Sequence, residues 1–113
     1  MVDSLERQAT FFKAMEKVIV YYDYSRVWFN ESAVKMMGLE SSVSMVVNPL
    51  AKHITVELGG AITLNNLAKG KAVLNRELVK HILAVYGYQD KLVLRVKHFK
   101  DNIYLLKHET DNK

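Results

Sequence analysis

Two stretches of the chain, Arg26-Val-Trp-Phe-Asn30-Glu-Ser-Ala-Val-Lys35 and Lys71-Ala-Val-Leu-Asn75-Arg-Glu-Leu-Val-Lys80, align without a gap at a spacing of forty-five residues. Each opens on a cation and continues through three residues of β-forming or apolar character. Each then places an asparagine before apolar positions, Ala33 and Val34 in one copy and Leu78 and Val79 in the other. Asparagine is a favoured helix N-cap because its side-chain oxygen accepts a hydrogen bond from a first-turn amide that has no partner in the helix. The pattern predicts the same strand end and helix start twice.

Outward from these stretches the correspondence continues with one change of spacing. The first helix is expected to end at Gly38 and the second at Gly87, where glycine can take the left-handed conformation that closes a helix. The spacing becomes forty-nine, so the second helix is longer by four residues, about one turn. Beyond the glycines Val43, Met45 and Val47 match Leu92, Leu94 and Val96, each set alternating as one face of a strand does. Ile54 and Val56 match Ile103 and Leu105, after turns marked by Asn48-Pro49 and Asp101-Asn102. In front of the first copy, residues 18–22 are β-branched or aromatic throughout and read as a strand. Residues 1–17 are expected to form an N-terminal helix capped by Asp3 or Ser4, with Leu5, Ala9, Phe12 and Met15 on one face. Gly59-Gly60 breaks the chain, residues 61–64 resume as a strand, and Asn65-Asn66 begins the link to the second copy. The expected fold is therefore α+β: two tandem β-α-β-β units, residues 18–64 and 65–108, forming one pseudo-symmetric, mostly antiparallel barrel or sandwich. The N-terminal helix packs outside it, and residues 109–113 are a polar tail.

A length of 113 residues suits one domain, because two separate cores of half that size would each be marginal. Half of the residues are hydrophobic and a quarter charged, as in ordinary globular chains. The longest apolar runs, at 18–22 and 82–86, fall far short of the ~20 residues that span a bilayer, so no membrane association is expected. No uninterrupted apolar stretch of the secretory kind stands near the N-terminus, and the chain has no cysteine; both favour a cytoplasmic setting. Charge is divided unevenly. Residues 1–56 carry six Lys and Arg against six acids, whereas residues 57–113 carry ten against six, so the whole net +4 lies in the second half. Such a bias suits either a phosphate-facing surface or a solvated face.

Signs of catalysis or metal binding are lacking. His53, His81, His98 and His108 have no ligand-like spacing and no cysteine or carboxylate cluster beside them, so no metal or other cofactor is expected. Ser41, Ser42 and Ser44 come with no base in a triad-like pattern. Neither Gly59-Gly60 nor Lys69-Gly70-Lys71 has the spacing of a phosphate-binding loop. Tyr21, Tyr22, Tyr24 and Trp28 surround Arg26, and packing in a core or interface is the favoured reading over base stacking. The tip Lys97-His98-Phe99-Lys100 reads as a charged turn that protects a sheet edge.

A cation, a short β run, a helix ending at Gly38-Leu39 or Gly87-Tyr88, and a hairpin of alternating apolar residues together resemble the AbrB-like swapped-hairpin family of DNA-binding proteins. Two copies in one chain resemble the tandem arrangement of the MraZ family. The likeness spans residues 23–58 and 66–107, with Asn30 and Asn75 where family members commonly carry proline, and Ser41-Ser42 where a glycine is usual. The resemblance implies units that intertwine into one barrel, a homodimer, and phosphate contacts from basic residues beside the first strands. Carried over by position, the DNA-contacting residues are Arg26, Lys69 and Lys71, with Arg76 at the second helix start. The expected function is a non-enzymatic DNA-binding regulator. The alternative is a protein-interaction module, such as a small phage- or plasmid-encoded inhibitor or antitoxin.

Overall fold

The computed structural model describes residues 15–108. Nine strands run in chain order as β1 (Lys17–Tyr21), β2 (Arg26–Asn30), β3 (Ser42–Asn48), β4 (His53–Leu58), β5 (Ile62–Thr63), β6 (Asn65–Leu67), β7 (Gly70–Leu74), β8 (Lys91–Lys100) and β9 (Ile103–His108). Two helices, α1 (Glu31–Met37) and α2 (Arg76–Tyr86), follow β2 and β7. All pairings are antiparallel, in the order β5-β3-β4-β9-β8-β1-β2-β7-β6. The two edge strands of that order, β5 and β6, are separated in the chain by Leu64 alone, so the sheet curls into a nearly closed barrel.

One side of every long strand supplies the barrel core. Val18 and Val20 of β1, Val27 and Phe29 of β2, Val73 of β7, and Leu92 and Leu94 of β8 belong to one buried cluster. Ile54 and Val56 of β4, Tyr104 and Leu106 of β9, Val43 of β3 and Leu64 complete it on the sheet side. These core residues recur at every second position, as the pleat requires, although the residues between them, Ile19, Trp28, Val93 and Leu105 among them, are largely apolar too. Each fully buried aliphatic or aromatic side chain contributes about 1.5–3 kcal/mol. The helices close over the same cluster through Ala33 and Met37 of α1 and Val79, Ile82 and Leu83 of α2.

Both helices start as their asparagines predict. The Asn30 side-chain oxygen accepts the Ala33 amide at 2.9 Å, and that of Asn75 accepts the Leu78 amide at 3.0 Å. Gly38 ends α1 at φ 67 and ψ 39, a left-handed turn in which its amide reaches the Lys35 carbonyl. Gly87 ends α2 differently, at φ 98 and ψ 137.

Several expectations are corrected. The class is not α+β: strands hold 52% of the described residues and helices 19%, in a mostly antiparallel sheet curled on itself. Residues 1–14 of the expected N-terminal helix lie outside the described residues; Lys17 already belongs to β1, and the first described helix follows two strands. Asn65-Asn66 is no link but the start of β6, held to Ala72 and Lys71 of β7. Pairing overrides the low strand propensity of asparagine there.

The two copies are also out of step in their pleats. Phe29 is fully buried while its aligned Leu74 is 58% exposed, and Trp28 is half-buried on the outer side while its aligned Val73 is in the core. Cross-strand pairing explains the shift: Val27 faces Val73 and Trp28 faces Ala72, and opposed residues of an antiparallel pair must share a face. A second slip occurs in the last hairpin. A register shift between His98 and Lys100 leaves Phe99 as a bulge, which turns Tyr104 and Leu106 inward in place of the expected Ile103 and Leu105.

Candidate functional site

The β1–β2 turn is built to meet the start of α2. The Ser25 amide donates to the Tyr22 carbonyl at 3.1 Å, closing the turn with Ser25 at φ 49. The Asn75 amide then donates to the Ser25 carbonyl at 3.1 Å, tying the cap of α2 to the turn. Between them lies a cavity of about 270 Å³ lined by Tyr22, Asp23, Ser25, Arg76, Val79 and Lys80. Arg76 and Lys80 are four residues apart on α2, so both project from one face toward the turn.

Around this cleft stands a row of cross-strand neighbours: Lys91 of β8 opposite Tyr21 of β1, and Arg26 of β2 opposite both Tyr21 and Leu74 of β7. The Arg26 guanidinium carbon lies 5.4 Å from the Tyr21 ring centre and 5.0 Å from that of Tyr24. Arg26 is thus held against two aromatic rings, with its Nε buried and without a hydrogen-bond partner among the described residues. The Tyr22 and Tyr88 rings meet edge to face at 6.1 Å, and the Tyr22 amide donates to the Asp90 carbonyl. Tyr24 is 68% and Tyr88 66% exposed. The core-packing reading of the tyrosines is corrected for Tyr22 and Tyr24, which sit in the turn and face solvent.

Lys69 and Lys71 lie elsewhere, on the β6–β7 turn. There Glu31, Val34 and Lys35 of α1 meet Leu67, Ala68, Gly70 and Lys71 around a second cavity of about 230 Å³. The Lys71 ammonium donates to the Asn66 side-chain oxygen, and Lys69 is exposed. The structure therefore gathers Arg26 with Arg76, and separately Lys69 with Lys71. The two groups lie at opposite ends of the five-residue β2·β7 ladder: Arg26 pairs with Leu74, and Lys71 stands three residues earlier, roughly 10 Å along the strand.

Comparison with protein-family models, with curated proteins and with solved structures returns no match. The site therefore rests on its own geometry. Sequence reading missed Lys80, Lys91 and Tyr88. The signal for Lys80 was its spacing of four from Arg76 on a helix, whereas Lys91 and Tyr88 reach the site only through the pairing of β8 with β1. Among the described residues no group of three or more His, Asp and Glu could hold a metal ion, and no helix is long and apolar enough to cross a membrane.

Proposed function

We infer that the protein is a non-enzymatic DNA-binding regulator that grips phosphates through Arg26, Arg76, Lys80 and Lys91, with Lys69 and Lys71 as a second contact. One observation carries this reading: Arg76 and Lys80 of α2 line the cleft at the β1–β2 turn together with Asp23, while Arg26 and Lys91 stand on either side of Tyr21 where the strands leave that turn. Counterion release makes such binding fall with salt, with a log-log slope of about −0.9 per phosphate neutralised. Titration of a labelled duplex at several salt concentrations tests it. The double variant Arg76→Gln, Lys80→Gln is expected to flatten the slope by about two units, as is Lys69→Gln, Lys71→Gln. Undetectable binding at low salt would remove the DNA reading.

A second reading has its own support. The β3–β4 hairpin presents Leu50, 96% exposed, and an exposed Val46, an apolar edge that suits a protein partner. A partner captured by the native chain and lost on Leu50→Asp, with no nucleic-acid binding, would favour this interaction module.

A further inference from the structure

We propose that the cleft between the β1–β2 turn and α2 binds single-stranded nucleic acid, with bases stacked on Tyr22, Tyr24 and Tyr88 and phosphates held by Arg26, Arg76 and Lys80. This rests on the nucleic-acid reading above and names its substrate class. The argument begins with what the surface displays. A duplex hides the faces of its bases and offers only groove edges and phosphates, so exposed aromatic rings gain little from it. A single strand offers a π face at every base, and proteins that hold one combine a cationic track with aromatic platforms.

The geometry here has both parts interleaved. Tyr24 and Tyr88 are about two-thirds exposed, and Tyr22 lines the cleft itself. Arg26 sits over Tyr21 and Tyr24 at 5.4 and 5.0 Å, which keeps the cation among the rings and leaves less rotational freedom to lose on binding. Arg76 and Lys80 line the same cleft one helical turn apart. At its mouth Asp23 can accept a hydrogen bond from an exocyclic base amine, the role that acidic side chains play toward cytosine. The second cavity is built at the same forty-five-residue spacing but carries Leu67 and Ala68 where the first carries Tyr22 and Asp23, and Glu31 where the first carries Arg76. It keeps two cations, Lys35 and Lys71, but lacks any aromatic ring on which a base could stack, so the strand is assigned to the first cleft alone.

The test compares three fluorescein-labelled probes of about 20 nucleotides: a mixed-sequence single DNA strand, the same strand annealed to its complement, and a strand of abasic sites. Affinity is read by anisotropy at fixed salt on the full chain. The single strand is expected to bind at least tenfold tighter than the duplex, and the abasic strand to lose that advantage. Tyr22→Ala and Tyr24→Ala should each weaken single-strand binding about tenfold, while the Tyr→Phe variants, which keep the ring, retain it. Circular dichroism and urea midpoints of each variant separate loss of binding from loss of fold. Duplex binding equal to or tighter than single-strand binding, or undiminished binding of the abasic strand, overturns this inference and leaves the DNA reading standing. No binding of any probe at low salt overturns both.

Discussion

Two clefts of this molecule are assembled by the same rule and differ in what they carry. In each, a tight turn between strands abuts the first residues of the helix from the other copy: the 22–25 turn meets α2, and the 67–70 turn meets α1. The lining residues correspond position by position, Tyr22 with Leu67, Asp23 with Ala68, Ser25 with Gly70, Arg76 with Glu31, Val79 with Val34 and Lys80 with Lys35. Only the two apolar helix residues and the lysines keep their character. Those apolar positions seat each helix on the barrel, so they answer to the fold. The exchanged positions face solvent, so they are free to answer to a ligand. Each lining carries two cations and one acid, Arg76, Lys80 and Asp23 in one and Lys35, Lys71 and Glu31 in the other, but only the first carries an aromatic ring, and the second has Leu67 and Ala68 in its turn.

The sharpest way to break the correspondence is through the pleats. Phe29→Ala should cost about 3–5 kcal/mol, because it empties a fully buried site, while Leu74→Ala at the aligned position should stay within about 1 kcal/mol. Urea midpoints at unchanged slope measure both, and equal costs would mean that the two copies are in step after all. Next come the turns. Gly70 has φ 142, and a Cβ there would run into the Phe29 carbonyl oxygen, so Gly70→Ala should cost at least about 2 kcal/mol. Ser25 already tolerates φ 49, and Ser25→Gly should change stability by less than about 1 kcal/mol.

The caps give a smaller contrast. Besides capping α1, the Asn30 oxygen accepts the Lys17 amide at 3.2 Å and its Nδ2 donates to the Met15 carbonyl at 3.0 Å, fastening the entry of β1 to the helix start. Among the described residues the Asn75 side chain makes the cap alone. Asn30→Ala should therefore cost about 2 kcal/mol and Asn75→Ala about 1 kcal/mol, read from the same unfolding curves. Smallest of all is the stability effect of the charges. Arg76→Gln with Lys80→Gln, and Glu31→Gln with Lys35→Gln, should each move stability by no more than about 0.5 kcal/mol, yet only the first pair should weaken nucleic-acid binding. Thermal melts beside anisotropy titrations distinguish the two effects.

Local chemistry made some of this legible in advance. Asn30 and Asn75 announce helix starts because capping is settled within three residues, and Gly38 announces a stop for the same reason. The alternation of Val43 with Met45 and of Leu92 with Leu94 marks strand faces because the pleat repeats every two residues. The parts that sequence hid are those decided by distant partners. Nothing near Val73 says that it will face Val27 rather than turn outward with Trp28. Nothing near Phe99 says that it will bulge and turn Tyr104 inward. The polar run Asn65-Asn66 becomes a strand only because β7 lies beside it. Of the site, Arg26 and Arg76 were legible as cations beside a strand and a helix start. That Arg26 lies against Tyr21 and Tyr24 follows from the local β1–β2 hairpin, whereas the place of Lys91 opposite Tyr21 depends on the pairing of β8 with β1, two segments some seventy residues apart in the chain.

The meeting of the sheet's ends at Leu64 bears on how the molecule behaves in a crowd. The last strands in the order, β5 and β6, are the two shortest, two and three residues long, and β5 covers only Ser42 and Val43 of β3, so residues 44–48 of β3 have no ladder partner on that side among the described residues. The exposed positions of β5 and β6 are Thr63, Asn65, Asn66 and Leu67, three polar residues and one apolar. A neighbouring chain seeking to extend the sheet would find β5 and β6 too short to propagate from, and residues 44–48 of β3 the longer open edge. The longest strand, β8, pairs with β1 over residues 91–95 and with β9 over residues 94–100, so each neighbour covers part of its length. Edge-to-edge association through the native state is accordingly confined to short uncovered stretches such as that of β3, and a longer template becomes open to this chain only when the ring comes apart.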